Sequence, residues 1–306
     1  MQAKTVKYLI PAMIIIAVVS LMSCGFSGKV SLDPESQDFY ETARLIMTKQ
    51  EKDIFHHLPD KKSREEFIED FWAKRDLDPE TEENEFREEF FRRIEYANLR
   101  FIEGIPGWKT DRGRIYIYLG PPDKIDQRPF MNYPSVKGLI WWGYYKYRLG
   151  IEFIDETGDG RYTINRHMSP LGNLLQVIEK AKFGQVFGAE SEFGNKFVDF
   201  DVRFHKEMKE IVVSIPVELL SFKEEEGSLK ADFEFEFFIY KKKGVRIDRF
   251  TQIKSFEKPE DEVLELKEII FTFPYDLKPG RYYFDVVIIV KPHINKTRKI
   301  FEIKLT

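Results

Sequence analysis

The run GWKTDRGRIYIYLGPPD, residues 107–123, is where two textures of sequence meet. In Ile105-Pro106-Gly107-Trp108, proline and glycine occupy the two central positions of a type II turn, and only glycine takes the positive φ cheaply there. Trp108 can then fold its ring onto the element before it. Thr110 and Asp111 can accept backbone N–H groups two residues on, and Gly113 offers a second positive φ. From Arg114 the period becomes two: Ile115, Ile117 and Leu119 against Arg114, Tyr116 and Tyr118, which predicts a strand. Gly120-Pro121-Pro122-Asp123 stops it. The run reads either as a corner turning a helix end into a strand start or as a binding surface. In the second reading Trp108, Arg112 and Tyr116, with the cluster Trp141-Trp142-Gly143-Tyr144-Tyr145, line an amphipathic groove for a peptide or a glycan. The same aromatic residues could instead be cross-strand packing.

Upstream the chain is helical. Ser63-Arg64-Glu65-Glu66 fits a capping box, and Phe67, Ile68, Phe71 and Trp72 follow on one face. Asp78-Pro79 reads as a helix restart. Phe86, Phe90, Ile94, Ala97 and Phe101 then recur at the period of a buried stripe, ended by Gly104 and Pro106. Downstream, a second strand is expected over 139–147, and strands 151–155 and 162–164 flank a Thr157-Gly158-Asp159-Gly160 hairpin. A helix over 174–183 leads out through Gly184, Gly188 and Gly194. Beyond about residue 195 the texture is wholly β. Leu229, Ala231, Phe233, Phe235, Phe237 and Ile239 alternate with mainly polar residues, and further strands are expected near 197–204, 211–215, 246–256, 265–273, 281–290 and 298–305. Leu277 to Tyr282 resembles the turn into a strand bearing a corner tyrosine. The expected fold is an α+β domain, helices followed by a small antiparallel sheet, and then an immunoglobulin-like sandwich.

Both ends of the composition bear on location. Lys4 and Lys7 precede an apolar run, Tyr8–Leu21, whose 14 residues suit a signal-peptide core better than a membrane span. It ends in Leu21-Met22-Ser23-Cys24, which resembles the bacterial lipobox. That resemblance implies cleavage before Cys24 and acyl chains on it, and several chains together anchor a protein stably. Gly25-Phe26-Ser27-Gly28 carries no acidic sorting signal, so an outer-membrane position facing the periplasm is expected. The resulting division is a leader over 1–23, a lipidated cysteine and tether over 24–36, the α+β domain over 37–190 and the sandwich over 191–306. Cys24 is the one cysteine among 306 residues, which excludes internal disulfides and thiolate zinc sites. Loss of Lys4 and Lys7 with the leader leaves 46 basic against 52 acidic residues, a net −6. With no basic run longer than Lys241-Lys242-Lys243, nucleic acid is not an expected partner.

Catalytic signatures are sparse. GxSxG, P-loop, dinucleotide and HExxH patterns are missing, and no cofactor or metal is expected. His56 and His57 are adjacent, so a helix points them about 100° apart. Asp155, Thr157, Asp159 and Gly160 occupy the first EF-hand loop positions, but Arg166 stands where a bidentate glutamate should close the shell. Read as flanking a strand, Asp111 and Asp123 lie ~20 Å apart, too far for paired catalytic carboxylates.

Gly107-Trp108-Lys109-Thr110-Asp111 also matches the signature of the GWxTD-domain family of bacterial envelope proteins. "FWAKRDLDPETEENEFREEFFRRIEYANLRF" (Phe71 to Phe101) resembles the family's helical lead-in, and "DRGRIYIYLGPPDKI" (Asp111 to Ile125) its strand and proline turn. The likeness covers residues 37 to 175. It implies a location and domain limits, and it transfers no catalytic residues. The expected function is a non-catalytic binding or scaffold protein whose partners are the membrane, through Cys24, and an envelope protein or a polysaccharide. The motif residues Gly107, Trp108, Thr110, Asp111, Arg112, Gly113 and Asp123 and the aromatic residues Tyr116, Trp141, Trp142 and Tyr144 are the candidate surfaces. The alternative is a hydrolase or transferase using Asp111 or Asp123 with Arg112 or Arg114. Glycan binding on exposed Trp141, Trp142 and Tyr144 is a third.

Overall fold

Side-chain caps set where the first helices begin. The computed structural model describes residues 32–76, 81–128, 136–183, 199–242, 246–291 and 295–306. Helix α1 (Pro34–Ala43) starts at Asp33, whose carboxylate accepts the Ser36 N–H at 3.0 Å, with Pro34 in the first turn. The helix therefore begins inside the stretch expected as tether. Thr48 and Glu51 form a reciprocal capping box at α2 (Lys49–His57). Helix α3 (Lys61–Ala73) is capped by Asp60, which accepts the Ser63 N–H at 2.7 Å. The capping box expected at Ser63–Glu66 does not form, because Asp60 supplies the acceptor three residues earlier and Glu66 pairs with Arg246. Asp78-Pro79 lies outside the described residues, and α4 (Glu85–Arg100) takes its cap from Asn84. Phe86, Phe90, Ile94, Ala97 and Phe101 are all buried, as the stripe requires.

The strand expected at 114–119 is a helix, α5 (Asp111–Leu119). Thr110 caps it, Asp111 sits in the first turn where a negative charge is favoured, and Gly120 ends it at φ +78°. Ile115 and Leu119 are close together on one side and Ile117 is on the opposite side, yet all three are buried. A helix enclosed on two sides buries alternate residues over two turns and imitates a strand.

A four-stranded antiparallel sheet follows in the order β1 (Lys124–Arg128), β2 (Gly138–Tyr144), β3 (Leu149–Asp155), β4 (Thr163–Ile164). Phe101 meets Trp142 at 5.6 Å and Trp142 meets Phe153 at 4.8 Å, so the end of α4 packs on this sheet. Helix α6 (Leu171–Lys182) closes this part, and the expected glycine-rich exit, with the boundary at 190, lies outside the described residues.

The sandwich faces a three-stranded sheet, β10 (Glu268–Pro274), β6 (Glu210–Pro216), β5 (Asp201–His205), with a second sheet. That second sheet runs β12 (Asn295–Leu305), β11 (Gly280–Lys291), β8 (Ser228–Lys241), with short β7 (Lys223–Glu225) on β8 beside β11 and β9 (Arg246–Pro259) on β8's other edge. Helix α7 (Glu260–Glu265) links β9 to β10. Phe233, Phe235, Phe237, Phe284, Val286, Ile211 and Val213 fill the space between the sheets. The corner tyrosine is in place: the Tyr282 hydroxyl donates to the Lys278 carbonyl at 2.7 Å.

The outer face of the larger sheet is buried too. Phe238, Tyr240, Tyr283, Asp285, Val287 and Ile289 alternate with the core residues, and all are buried. Helices cover that face: Phe67 meets Tyr240 at 6.4 Å, and the Tyr283 hydroxyl donates to Asp53 at 2.9 Å. Residues 33–306 accordingly form one compact unit.

Five buried charges clasp the helices to the sheet. The Asp285 carboxylate accepts from Lys74 Nζ at 2.7 Å and from Arg298 Nε at 2.7 Å. Arg298 Nη2 also reaches Glu51 Oε1 at 2.7 Å, and Arg75 Nη2 reaches Glu51 Oε2 at 2.7 Å. Arg75 donates further to the carbonyls of Phe71, Ile46 and Lys182. Burial works to raise the Glu51 and Asp285 carboxyls, but the facing cations outweigh it and hold both below their ordinary values. For Lys74 the balance reverses, and burial pulls its ammonium down against the attraction of Asp285. A second clamp ties α3 to β9, where Arg246 bridges Asp70 and Glu66 at 2.7 Å each and Arg249 adds Asp70 at 2.9 Å.

Candidate binding site beside the GWKTD corner

The motif closes a tight junction between α4 and α5. Gly107 opens a short 3-10 turn, Gly107–Lys109, without a positive φ, so the expected type II turn does not form. Its glycine is needed for a different reason. A Cβ on Gly107 would lie 1.9 Å from the Ala97 carbonyl oxygen, on the backbone of α4. Gly113, likewise inside a helix and not at positive φ, would put a Cβ 1.9 Å from the Gly107 carbonyl oxygen. Thr110 bridges the two: its hydroxyl donates to Gly107 O at 2.8 Å and accepts from Gly113 N at 2.9 Å. Trp108 is half-buried, and its backbone N–H donates to Asn98 of α4 at 3.2 Å.

Each carboxylate that sequence offered for chemistry holds backbone instead. Asp111 accepts the Ile164 N–H at 3.0 Å, which ties α5 to β4, not to a residue two positions on. Asp123 accepts the Tyr145 N–H at 2.6 Å. Asp155 accepts the N–H groups of Thr157, Gly158 and Gly160, so the EF-hand-like stretch is a carboxylate-centred turn. His56 and His57 are exposed, His56 against Tyr40 and His57 on the Asp53 carbonyl. Among the described residues no three His, Cys, Asp or Glu side chains gather where a metal could be held. Arg112 pairs with Glu103, which is buried, and lies over the rings of Tyr162 and Phe101. Glu103 and Tyr162 were not marked by any sequence signal.

The aromatic cluster is not a platform. Trp142 and Tyr144 are 3% and 2% exposed, which removes the surface expected from exposed Trp141, Trp142 and Tyr144. The Tyr144 hydroxyl donates to Gly120 O at 3.1 Å, and burial raises it well above its ordinary value. Trp141 is half-buried, its ring laid across the facing glycines Gly143 and Gly150. These residues pack the sheet.

What remains open is a groove of about 270 Å³ between α4, α5 and the β1–β2 edge. Tyr96, Phe101, Tyr116, Ile125, Ile140 and Trp142 form its apolar lining, with Arg100, Arg112 and Gln127 as the polar groups. Tyr96 and Tyr116 stack at 4.3 Å, and burial beside that neighbour raises the Tyr116 hydroxyl. Ile125 is 52% exposed at the groove's lip. Two other depressions, of about 350 and 440 Å³, are lined largely by polar side chains, among them the Arg246–Glu66 and Lys242–Glu302 ion pairs.

Comparison with known proteins reaches the first part of this region. The family model of the GWxTD domain matches residues 33–137, and over that span the chain is a GWxTD domain. The match reaches from the cap of α1 to the residue before β2, a shorter span than the 37–175 expected. No curated protein sequence matches. Among solved structures, a family 76 glycoside hydrolase from a bovine Bacteroides thetaiotaomicron strain aligns over 35% of this chain and 20% of its own, at 11% identity and TM-score 0.21. A Bacteroides uniformis β-glucuronidase aligns over 37% and 13%, at 11% identity and TM-score 0.18. The chicken interferon gamma receptor α chain aligns over 61% and 98%, at 9% identity and TM-score 0.23. The chain spans a fifth or less of the two glycosidases, and likenesses this low carry neither fold nor activity across.

Proposed function

We propose that this chain is a non-catalytic binding protein of the bacterial envelope, anchored by acyl chains on Cys24 and facing the periplasm from the outer membrane. The groove beside the corner is the observation that carries the binding role. Its lining mixes aromatic and apolar side chains with Arg100, Arg112 and Gln127, a combination that recognition sites use. A hydrolase or transferase reading is disfavoured because Asp111 and Asp123 are each occupied by a backbone N–H from a different strand or turn. The anchor rests on the lipobox-like run ending at Cys24, which lies outside the described residues. In this reading the sandwich braces the helices that carry the groove.

Two readouts in intact cells test the proposal. Labelled palmitate should enter the wild type, and Cys24→Ala should lose both label and membrane association. A photoreactive residue at position 125 should give a discrete adduct that the same residue at 253, exposed on β9, does not. Label in Cys24→Ala would remove the anchor. Equal adducts from the two positions would remove the groove.

A further inference from the structure

The groove lies between a helix layer and the free edge of a sheet. Strand β1 pairs with β2 and with no other strand, which leaves its second edge unpaired among the described residues. Ile125 and Gln127 stand at alternate positions of β1, opposite Trp142 and Ile140 of β2, and all four line the groove. A strand laid on that edge would turn every second side chain toward the same lining. This is the geometry in which extended peptides add to a sheet, main-chain hydrogen bonds supplying affinity and side-chain pockets specificity.

Charge narrows the occupant. Arg100 lines the groove, is exposed, and forms no ion pair with the described residues, whereas Arg112 is already paired with Glu103. A glycan fits less well. Sugars stack on open ring faces, but Trp142 is buried and Tyr96, 43% exposed, has one face covered by Tyr116, so a single ring is offered.

We infer that the β1 edge takes an extended peptide as an added strand, one apolar side chain resting on Tyr116 and Ile125 and an acidic side chain two residues along meeting Arg100. The inference rests on the groove being the binding site, and it specifies what binds there.

The test uses full-length protein in detergent micelles and a fluorescein-labelled β-forming octapeptide, capped at both ends, with leucine and glutamate two residues apart. Fluorescence anisotropy should show saturable binding that weakens as salt rises. Replacing the peptide glutamate by glutamine should weaken it about tenfold, and Arg100→Gln should weaken the glutamate peptide about as much while leaving the glutamine peptide unchanged. Hydrogen exchange should slow at β1 amides on binding. Equal affinity for the two peptides, or unaltered exchange at β1, overturns the inference. If Ile125→Asp still abolishes leucine-dependent binding in that case, the groove stands and only the acidic strand falls. Displacement of the position-125 adduct by soluble chitooligosaccharide, with no peptide binding, would replace the peptide by a glycan. No binding together with no adduct at position 125 removes both readings.

Discussion

The GWKTD corner and the charged clasp are both buried joints between elements, but they are made by opposite means. The corner is built from neighbours: Gly107, Thr110 and Gly113 interlock within a few residues and hold α5 against α4 by backbone contact and one hydroxyl. The clasp is built from strangers. Glu51 and Arg298 are 247 positions apart, Lys74 and Asp285 are 211, and the joint uses full charges out of water. Removing part of a close-packed joint leaves a gap or a clash. Removing one ion from a buried cluster leaves its partner uncompensated, which is worse.

The comparison is broken most severely at Asp285. Asp285→Asn leaves Lys74 and Arg298 short of their shared counter-charge, and urea unfolding should show a loss of about 3–5 kcal/mol. The same site sets an acid limit. Both clasp carboxyls sit below their ordinary values when folded, so the unfolded chain binds more protons as pH falls below about 4. The stability they give is complete above that pH and drains away beneath it. Urea midpoints measured from neutral pH to about 3 should fall more for the wild type than for Asp285→Asn; parallel curves would mean that the clasp is not the titrating element. Next comes Gly107→Ala, where the added methyl meets backbone that cannot swing aside, for a loss of about 1–3 kcal/mol. A thermal midpoint unchanged by that substitution would show that α4 and α5 can part at no cost. The smallest effect is expected at Thr110. Thr110→Ala should cost about 1–2 kcal/mol through the lost cap, and Thr110→Ser should recover most of it. Failure of serine to recover it would assign the role to the methyl group rather than the hydroxyl.

These differences also explain what was legible beforehand. Two-residue alternation at Phe233, Phe235 and Phe237 and the spacing from Phe86 to Phe101 report burial on one face, which is local, and both read correctly. The same logic failed at Ile115, Ile117 and Leu119, because burial on two opposite sides of a helix erases the difference between the periods. Glycine invited the wrong argument at 107 and 113: conformational freedom and the need for bare backbone call for the same residue. Phe238, Tyr240, Val287 and Ile289 put apolar residues at the outward positions of their strands, which could have signalled a covered outer face. The partners of Asp285 could not be named, since nothing local links a carboxylate on β11 to a lysine at the end of α3. Of the residues expected to line a groove, Arg112, Tyr116 and Trp142 line this one and Trp108, Trp141 and Tyr144 do not, while Tyr96, Arg100 and Ile125 come to it only through the packing of α4 on the sheet.

The clasp also imposes an order on how the molecule is made. The helices leave the ribosome well over a hundred residues before β11 and β12, carrying Lys74 and the second oxygen of Glu51 toward Asp285 and Arg298, which do not yet exist. A chain halted before β12 would lack Arg298, leaving Lys74 with Asp285 and Arg75 with Glu51 but nothing to join the two pairs. Such a product should be cut by proteases more readily than the full chain, because its last strand is what completes the joint.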